Sequence, residues 1–263
     1  MLELRSALFT VLFYLSNALQ MIFWTPVFFL MPRRDAWKVA KCWAYSHLWL
    51  QHVVCGTDYD FRGLDNLRPA DNQLVAAKHQ SAWETYTLIL FFKDASYILK
   101  RILTYIPLFG WYLTKIKVVP IDRSRGKEAL KSITRNALGH MRETERQVFI
   151  YPEGTRTRPG AEPLYKYGVV HLYDTLKVPV QPVALNSGLY WGRRSLLVRP
   201  GTIIMEFLPV IEPGLSKGAF AKRLETVIET ASNRLIAEAA ASSLPPPLAR
   251  ELVASGAVTP LDA

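Results

Sequence analysis

The longest uncharged stretch of the chain runs from Ser6 to Pro32 and is dense in Leu, Phe, Ile and Val. As a helix it would be roughly 40 Å long, enough to cross a hydrocarbon core of about 30 Å. Arg33, Arg34, Lys38 and Lys41 follow at once, as on the cytoplasmic flank of a membrane segment. The apolar part is too long for a secretory signal, and no small-residue cleavage site follows it. It also carries a polar seam. Asn17, Gln20 and Trp24 recur at helical spacing beside Ser16, and Pro26 is expected to break the run. The next segment, Asp35 to Cys55, is again apolar and bears Trp37, Trp43, Tyr45 and Trp49, aromatics suited to a headgroup layer. Two membrane arrangements fit, a single spanning helix or two helices joined by their polar seam and lying in one leaflet. The third reading, a buried helix of a soluble core, is disfavoured because such helices rarely carry this many consecutive apolar residues.

Beyond this the pattern changes to short apolar runs alternating with amphipathic ones. Strands are predicted at Leu74 to Ala77, Val118 to Pro120, Val148 to Tyr151, Val180 to Leu185 and Thr202 to Phe207. Helices are predicted at Glu84 to Phe92, Lys127 to Arg142, Lys166 to Leu176 and Phe220 to Ala240. The last of these has Phe220, Leu224, Val227, Ile228, Ala231 and Leu235 on one stripe. Strands alternating with helices define an α/β fold with a mostly parallel central sheet flanked by helices. The expected organisation is a two-helix membrane anchor at 1–57, an α/β domain at 58–241, and a mobile tail without periodicity at 242–263.

A formal charge of +10 over 263 residues calls for an anionic partner. Lys and Arg are scattered, with no dense basic arm and no nucleic-acid-binding module, so the partner is a phosphorylated substrate or an anionic bilayer and no nucleic acid is expected. Cys42 and Cys55, the two cysteines, would sit roughly 20 Å apart on one helix and are expected to be buried thiols rather than a disulfide.

Three runs carry candidate chemistry. Lys78-His79-Gln80-Ser81-Ala82-Trp83-Glu84 follows a buried strand and opens a helix, where α/β folds place reactive groups. A turn there folds the Glu84 carboxylate back onto the His79 imidazole, fixing its tautomer and leaving the other nitrogen free as a base. Ser81 reads as a turn or cap residue. Tyr151-Pro152-Glu153-Gly154-Thr155-Arg156 follows another strand; Gly154 permits a tight turn and Arg156 offers a planar fork to phosphate oxygens. Lys117-Val118-Val119-Pro120-Ile121-Asp122-Arg123 is a strand leading to a basic residue. Each alone also reads as an ordinary surface pair, cap or turn.

Taken together, in this order, the runs closely resemble the 1-acylglycerol-3-phosphate acyltransferase family of glycerolipid synthesis. The matching residues are His79 to Glu84, Val118 to Arg123, Pro152 to Arg156 and Val178-Pro179-Val180-Gln181-Pro182-Val183, with Phe109-Gly110-Trp111 and Lys166-Tyr167-Gly168 as further family positions. The resemblance covers about Leu74 to Leu185. It implies transfer of a fatty acyl group from an acyl carrier protein or coenzyme A thioester to the hydroxyl of lysophosphatidic acid, giving phosphatidic acid, with no cofactor and no metal. His79 is then the general base and Glu84 its orienting partner. Arg156, Arg123 and Lys100 are the acceptor-phosphate ligands, and Glu153, Gly154 and Thr155 shape the site. The expected location is the cytoplasmic face of a bacterial-type inner membrane. One departure stands out: Glu84 occupies a position where the family usually has Asp.

Other readings remain. The acceptor could be a different lysolipid; glycerol 3-phosphate, being soluble, would not need the apolar helices. A non-catalytic lipid-binding protein is the alternative from another class. A serine hydrolase lacks support, because no Gly-x-Ser-x-Gly elbow occurs. His47, His52, His140 and His171 show no metal-ligand spacing.

Overall fold

The structure, a computed structural model, describes residues 1–122, 126–143 and 145–261. Helices α1 (Leu2–Leu30) and α2 (Arg33–Cys55) lead into β1 (Thr57–Arg62), β2 (Gln73–Ala77), α3 (Trp83–Thr87), β3 (Ala95–Lys100), α4 (Phe109–Lys115) and β4 (Val119–Ile121). There follow α5 (Gly126–Glu143), β5 (Gln147–Ile150), α6 (Tyr167–Leu176), β6 (Val180–Leu185), β7 (Gly201–Phe207), α7 (Lys217–Ala241) and α8 (Pro247–Ala254). Among the described residues seven strands form one sheet in the order β1-β7-β6-β2-β5-β3-β4. β6, β2, β5, β3 and β4 are mutually parallel. β7 runs antiparallel to β6, and β1 runs parallel to β7.

Alternation along the strands builds two cores. Val75 and Ala77, Phe149, Val183 and Leu185, and Ile203 and Met205 face the side covered by α2 and α3. Their neighbours Leu74, Ala76, Val148, Ala184 and Ile204 face α5, α6 and most of α7. Successive side chains of a strand point to opposite faces, so a central parallel strand must be apolar on both; β2 is accordingly buried throughout.

The helix pair meets along the seam its spacing predicts. Gln20 Nε2 donates to Ser16 Oγ at 2.7 Å and Ser46 Oγ at 2.9 Å, Trp43 Nε1 donates to Asn17 Oδ1 at 2.9 Å, and Asn17 Nδ2 lies 3.0 Å from His47 Nε2. Contrary to the expectation from the sequence, Pro26 does not end α1. The helix continues to Leu30 because Phe28 stacks on Tyr112 of α4 at 4.0 Å, and tertiary packing outweighs the lost hydrogen bond. The face of α1 turned away from the domain exposes Leu4, Leu8, Val11, Leu15, Leu19, Ile22 and Phe23. Ile102, Tyr105, Ile106 and Trp111, around the start of α4, are exposed as well. Phe28, Trp37, Val39 and Leu48 belong to the same core as the sheet, so the boundary expected at residue 57 marks no break in packing.

Three expectations change. β1 and β3 escaped the periodicity reading, since β1 alternates charged and apolar residues at a sheet edge and β3 opens on Ala95 and Ser96 and ends on Lys100, leaving only Tyr97, Ile98 and Leu99 as an apolar run. The tail from residue 242, expected to be mobile, forms α8, which buries Ala249 and places Leu252 against Gly160. Cys42 is exposed and only Cys55 is buried, because the buried stripe of α2 runs through Ala36, Ala44, Leu48 and Cys55 and leaves Cys42 outside it.

Asp94 fastens α2 to the sheet. Its carboxylate accepts both guanidinium nitrogens of Arg33, the Trp37 indole N–H at 3.1 Å, and an ion pair from buried Arg146 at 3.3 Å. Burial alone would raise this carboxyl, but Arg33, Arg146 and Trp37 outweigh it and hold it below its ordinary value. A depressed carboxyl contributes stability that is complete above the unfolded-state value and lost as pH falls through the folded one. Asp94→Asn should therefore destabilise the protein by about 3 kcal/mol at pH 7. The gap to the parent should close as pH drops below about 4, read from denaturant midpoints in detergent.

Candidate active site

The parallel strands deliver their carboxyl ends to one edge of the sheet, the edge at which open α/β folds bind ligands. β2 ends in Lys78 and His79, β5 in the Tyr151–Arg156 run, β3 in Lys100, and β6 in Asn186 and Ser187. His79 Nδ1 lies 2.8 Å from Glu84 Oε1, on the first turn of α3. That oxygen also accepts the backbone N–H groups of Gln80 at 2.8 Å and Ser81 at 2.7 Å. Oε2 accepts the Ser187 hydroxyl at 2.7 Å. Glu84 is fully buried. With a carboxylate on Nδ1, the ring proton sits on Nδ1 and the Nε2 lone pair is free. Ser81 is the turn residue the sequence suggested, its Oγ accepting from Trp83 N at 3.2 Å.

The ring of Tyr151 stacks on His79 at 3.9 Å between centroids and 15° between planes, which fixes the imidazole plane. Burial pushes the Tyr151 phenol well above its ordinary range, so it stays neutral. Gly154 turns the following loop at φ +70°, a conformation open to glycine at little strain.

Glu153 reaches back from that loop to the first one. Its Oε2 accepts the His79 backbone N–H at 3.1 Å, and its Oε1 accepts the Thr157 hydroxyl at 2.6 Å. Thr157 N in turn donates to the His79 carbonyl at 2.8 Å. Lys78, 2% exposed, sits beneath with Nζ 2.8 Å from Glu153 and 2.7 Å from Glu229 of α7, whose carboxylate also takes the Tyr165 hydroxyl at 2.8 Å.

A cavity of about 960 Å³ opens beside His79. Its lining includes Trp24 and Phe28 of α1, Trp43 of α2 and Tyr112 of α4, together with Leu130 and Ile133 of α5 and Leu172 of α6. Lys100, Glu153, Gly154, Thr155 and Arg156, to which the resemblance assigned roles, line it, and so do Lys166, Arg193 and Arg194. Arg123 lies outside the described residues. Among the described residues no group of three or more His, Cys, Asp or Glu side chains is placed to hold a metal ion.

Sequence reasoning missed Ser187, the Lys78–Glu229 pair, and Arg193 and Arg194. The only local signal was Lys78 itself, a cation at the end of a wholly buried strand. Its partner lies 151 residues away and Ser187 lies 103 residues from Glu84.

A carboxylate-braced histidine beside a large apolar cavity, with cations around it, is the equipment of an enzyme that activates a hydroxyl on an amphiphile with an anionic head. A family model described as Acyltransferase matches residues 58–186. The chain is 38% identical over 202 residues to the 1-acyl-sn-glycerol-3-phosphate acyltransferase of Pseudomonas aeruginosa, covering 75% of this chain and 78% of that protein. It is 26% identical over 196 residues to the enzyme of the same name from Saccharomyces cerevisiae, covering 72% and 63%. The crystal structure of the 1-acyl-sn-glycerophosphate (LPA) acyltransferase from Thermotoga maritima shares the fold, with a TM-score of 0.74 at 21% identity over 89% of this chain and 99% of that one. The chain belongs to the 1-acyl-sn-glycerol-3-phosphate acyltransferase family.

Removing the cation from the buried Glu153–Lys78–Glu229 cluster leaves two carboxylates facing each other. Lys78→Met should destabilise the protein by about 3–5 kcal/mol. Adding Glu229→Gln should recover part of that loss, both read from unfolding midpoints.

Proposed function

We infer that the protein transfers a fatty acyl group from a thioester to the free hydroxyl of 1-acyl-glycerol 3-phosphate, giving phosphatidic acid. The observation that carries this reading is the His79 Nδ1–Glu84 pair at 2.8 Å beside an apolar cavity that Lys100 and Arg156 also line. An acyl thioester is already activated, whereas an alcohol is a weak nucleophile, so the base at the hydroxyl is the group that matters. His79 Nε2 takes the acceptor's hydroxyl proton as the oxygen attacks the thioester carbonyl. The tetrahedral intermediate collapses, the carbon–sulfur bond breaks, and the imidazolium returns the proton to the departing thiolate. Glu84 keeps Nδ1–H directed inward and offsets the charge of the imidazolium. Arg156 and Lys100 hold the acceptor phosphate and so place its hydroxyl; Arg123 is assigned the same task from the sequence. The donor is an acyl carrier protein or coenzyme A thioester, and no cofactor takes part.

Membrane attachment follows from the exposed apolar face of α1. The helix is long and apolar enough to cross a bilayer, yet both its ends pack on the domain. Ser6 Oγ accepts from Val198 N at 3.0 Å near one end and Phe28 stacks on Tyr112 near the other. A helix tied down at both ends meets lipid with its side, which favours the pair lying in one leaflet, on the cytoplasmic side, over a span. Substrates then enter the cavity from the bilayer along α1 and α2.

His79→Ala should lower kcat at least about a hundredfold with unfolding unchanged. Glu84→Gln should cost more than Glu84→Asp, because Asp keeps the charge; thiol release and product mass with lysophosphatidic acid read both. Arg156→Lys should raise the acceptor KM about tenfold and leave the thioester KM near that of the parent, since an ammonium cannot reproduce the planar fork. A defect confined to the thioester would overturn the acceptor assignment.

A further inference from the structure

Arg193 and Arg194 fall in no motif of the sequence and take no part in the reaction above. They sit in the loop between β6 and β7, on the wall of the cavity. That loop is braced. Trp191 packs edge-on against Phe9 at 5.5 Å and Phe13 at 5.7 Å, Arg199 N donates to Tyr190 O at 2.9 Å, and Ser195 N donates to Gly192 O at 3.1 Å. Arg193 Nη1 donates to the Arg156 carbonyl at 2.9 Å, so the loop rests on the Pro152–Arg156 turn. Arg194 is held at φ +59°, a left-handed conformation that a side-chain-bearing residue adopts at a cost and keeps where the surroundings impose it. Both guanidinium groups are on exposed residues at the rim.

Charge supplies the second observation. Lys100, Arg156, Lys166, Arg193 and Arg194 all line the cavity, and among the described residues none of them forms an ion pair. Glu153, the carboxylate on the same wall, is already paired with Lys78. A phosphate monoester brings about two negative charges at pH 7, which leaves cations over once the acceptor is bound. The proposed reaction brings a second anion to the same place. With its thioester at His79, the donor must run its pantetheine arm out past the rim, because a nucleotide or a carrier protein stands at the far end. That arm carries a phosphate in both donor forms.

We propose that Arg193 and Arg194 bind the phosphate of the donor's pantetheine arm, so that the β6–β7 loop is the donor subsite while Arg156 and Lys100 serve the acceptor. This rests on the acyl-transfer reading above and divides its site between the two substrates. The shared ligand chemistry is a phosphate ester on pantetheine, from coenzyme A or from a carrier protein.

Arg194→Ala is the informative variant, because Arg193→Ala also frees the Arg156 carbonyl. Full-length parent and variant are compared with lysophosphatidic acid and three donors of one chain length: acyl-coenzyme A, acyl carrier protein thioester, and acyl-pantetheine without phosphate. The expected result is a donor KM raised about tenfold for a phosphate-bearing donor, an unchanged acceptor KM, and no difference between the proteins with acyl-pantetheine. Whichever of the two phosphate-bearing donors shows the rise is the source of the phosphate. An equal loss on acyl-pantetheine, a shift in the acceptor KM instead, or no change with any donor would overturn the proposal. Calorimetric titration with coenzyme A alone separates this from the functional reading. If the parent failed to acylate lysophosphatidic acid yet bound coenzyme A about tenfold more tightly than Arg194→Ala, the subsite would stand and the acceptor would be wrong. Equal binding by the two proteins, together with no rise in the KM for the carrier-protein thioester, would count against the subsite.

Discussion

A buried carboxylate has no water to satisfy it and must take its hydrogen bonds from the protein. Glu84 takes four, from the His79 ring, the Gln80 and Ser81 amides and the Ser187 hydroxyl. These donors come from the turn after β2 and the turn after β6, so one side chain sets both turns and the start of α3. Glu153 does the corresponding work from the turn after β5, gripping the His79 main chain while Glu84 grips its ring. The histidine is thus fixed at backbone and imidazole by separate carboxylates, with Tyr151 closing one ring face. The extra methylene of Glu relative to Asp belongs to this arrangement. It lets one oxygen reach three donors on the His79–Ser81 turn while the other reaches across to β6.

How far the sequence disclosed this depended on the distance between partners along the chain. His79 and Glu84 lie within one turn, and the seam of Asn17, Gln20 and Trp24 lies on one helix face, so spacing alone made both readable. Helix and strand positions with strong periodicity, such as α5, α7 and β6, were read to within a few residues. Ser187 and Glu229 could not be found this way. They become neighbours of Glu84 and Lys78 only because β6 lies beside β2 and α7 packs across β6, which no local pattern encodes. α8 was missed for a related reason: it is eight residues long, and Ala249 and Leu252 gain meaning from the surface they meet.

Lys78 shows the same limit from the energetic side. A lysine that is 2% exposed would be prohibitively costly alone. Flanked by Glu153 and Glu229 it becomes the joint between β2, the β5 turn and α7. Removing either acidic partner would disturb the backbone that presents His79, although neither carboxylate touches the reacting ring nitrogen. Polar burial of this kind specifies a geometry rather than adding net stability.

The way α1 and α2 wall the cavity bears on how such chains can be recombined. Trp24, Phe28 and Trp43 line the cavity, Ser6 and Phe9 brace the β6–β7 loop, and Arg33 and Trp37 hold Asp94. The first fifty-five residues are therefore not an interchangeable cassette. A chimaera that exchanged them with those of a relative would have to carry along the β6–β7 loop and the Tyr112 helix as matching halves of the same joint. Sequence drift in any one of these three segments constrains the other two, and a functional graft is expected only where all three come from one parent.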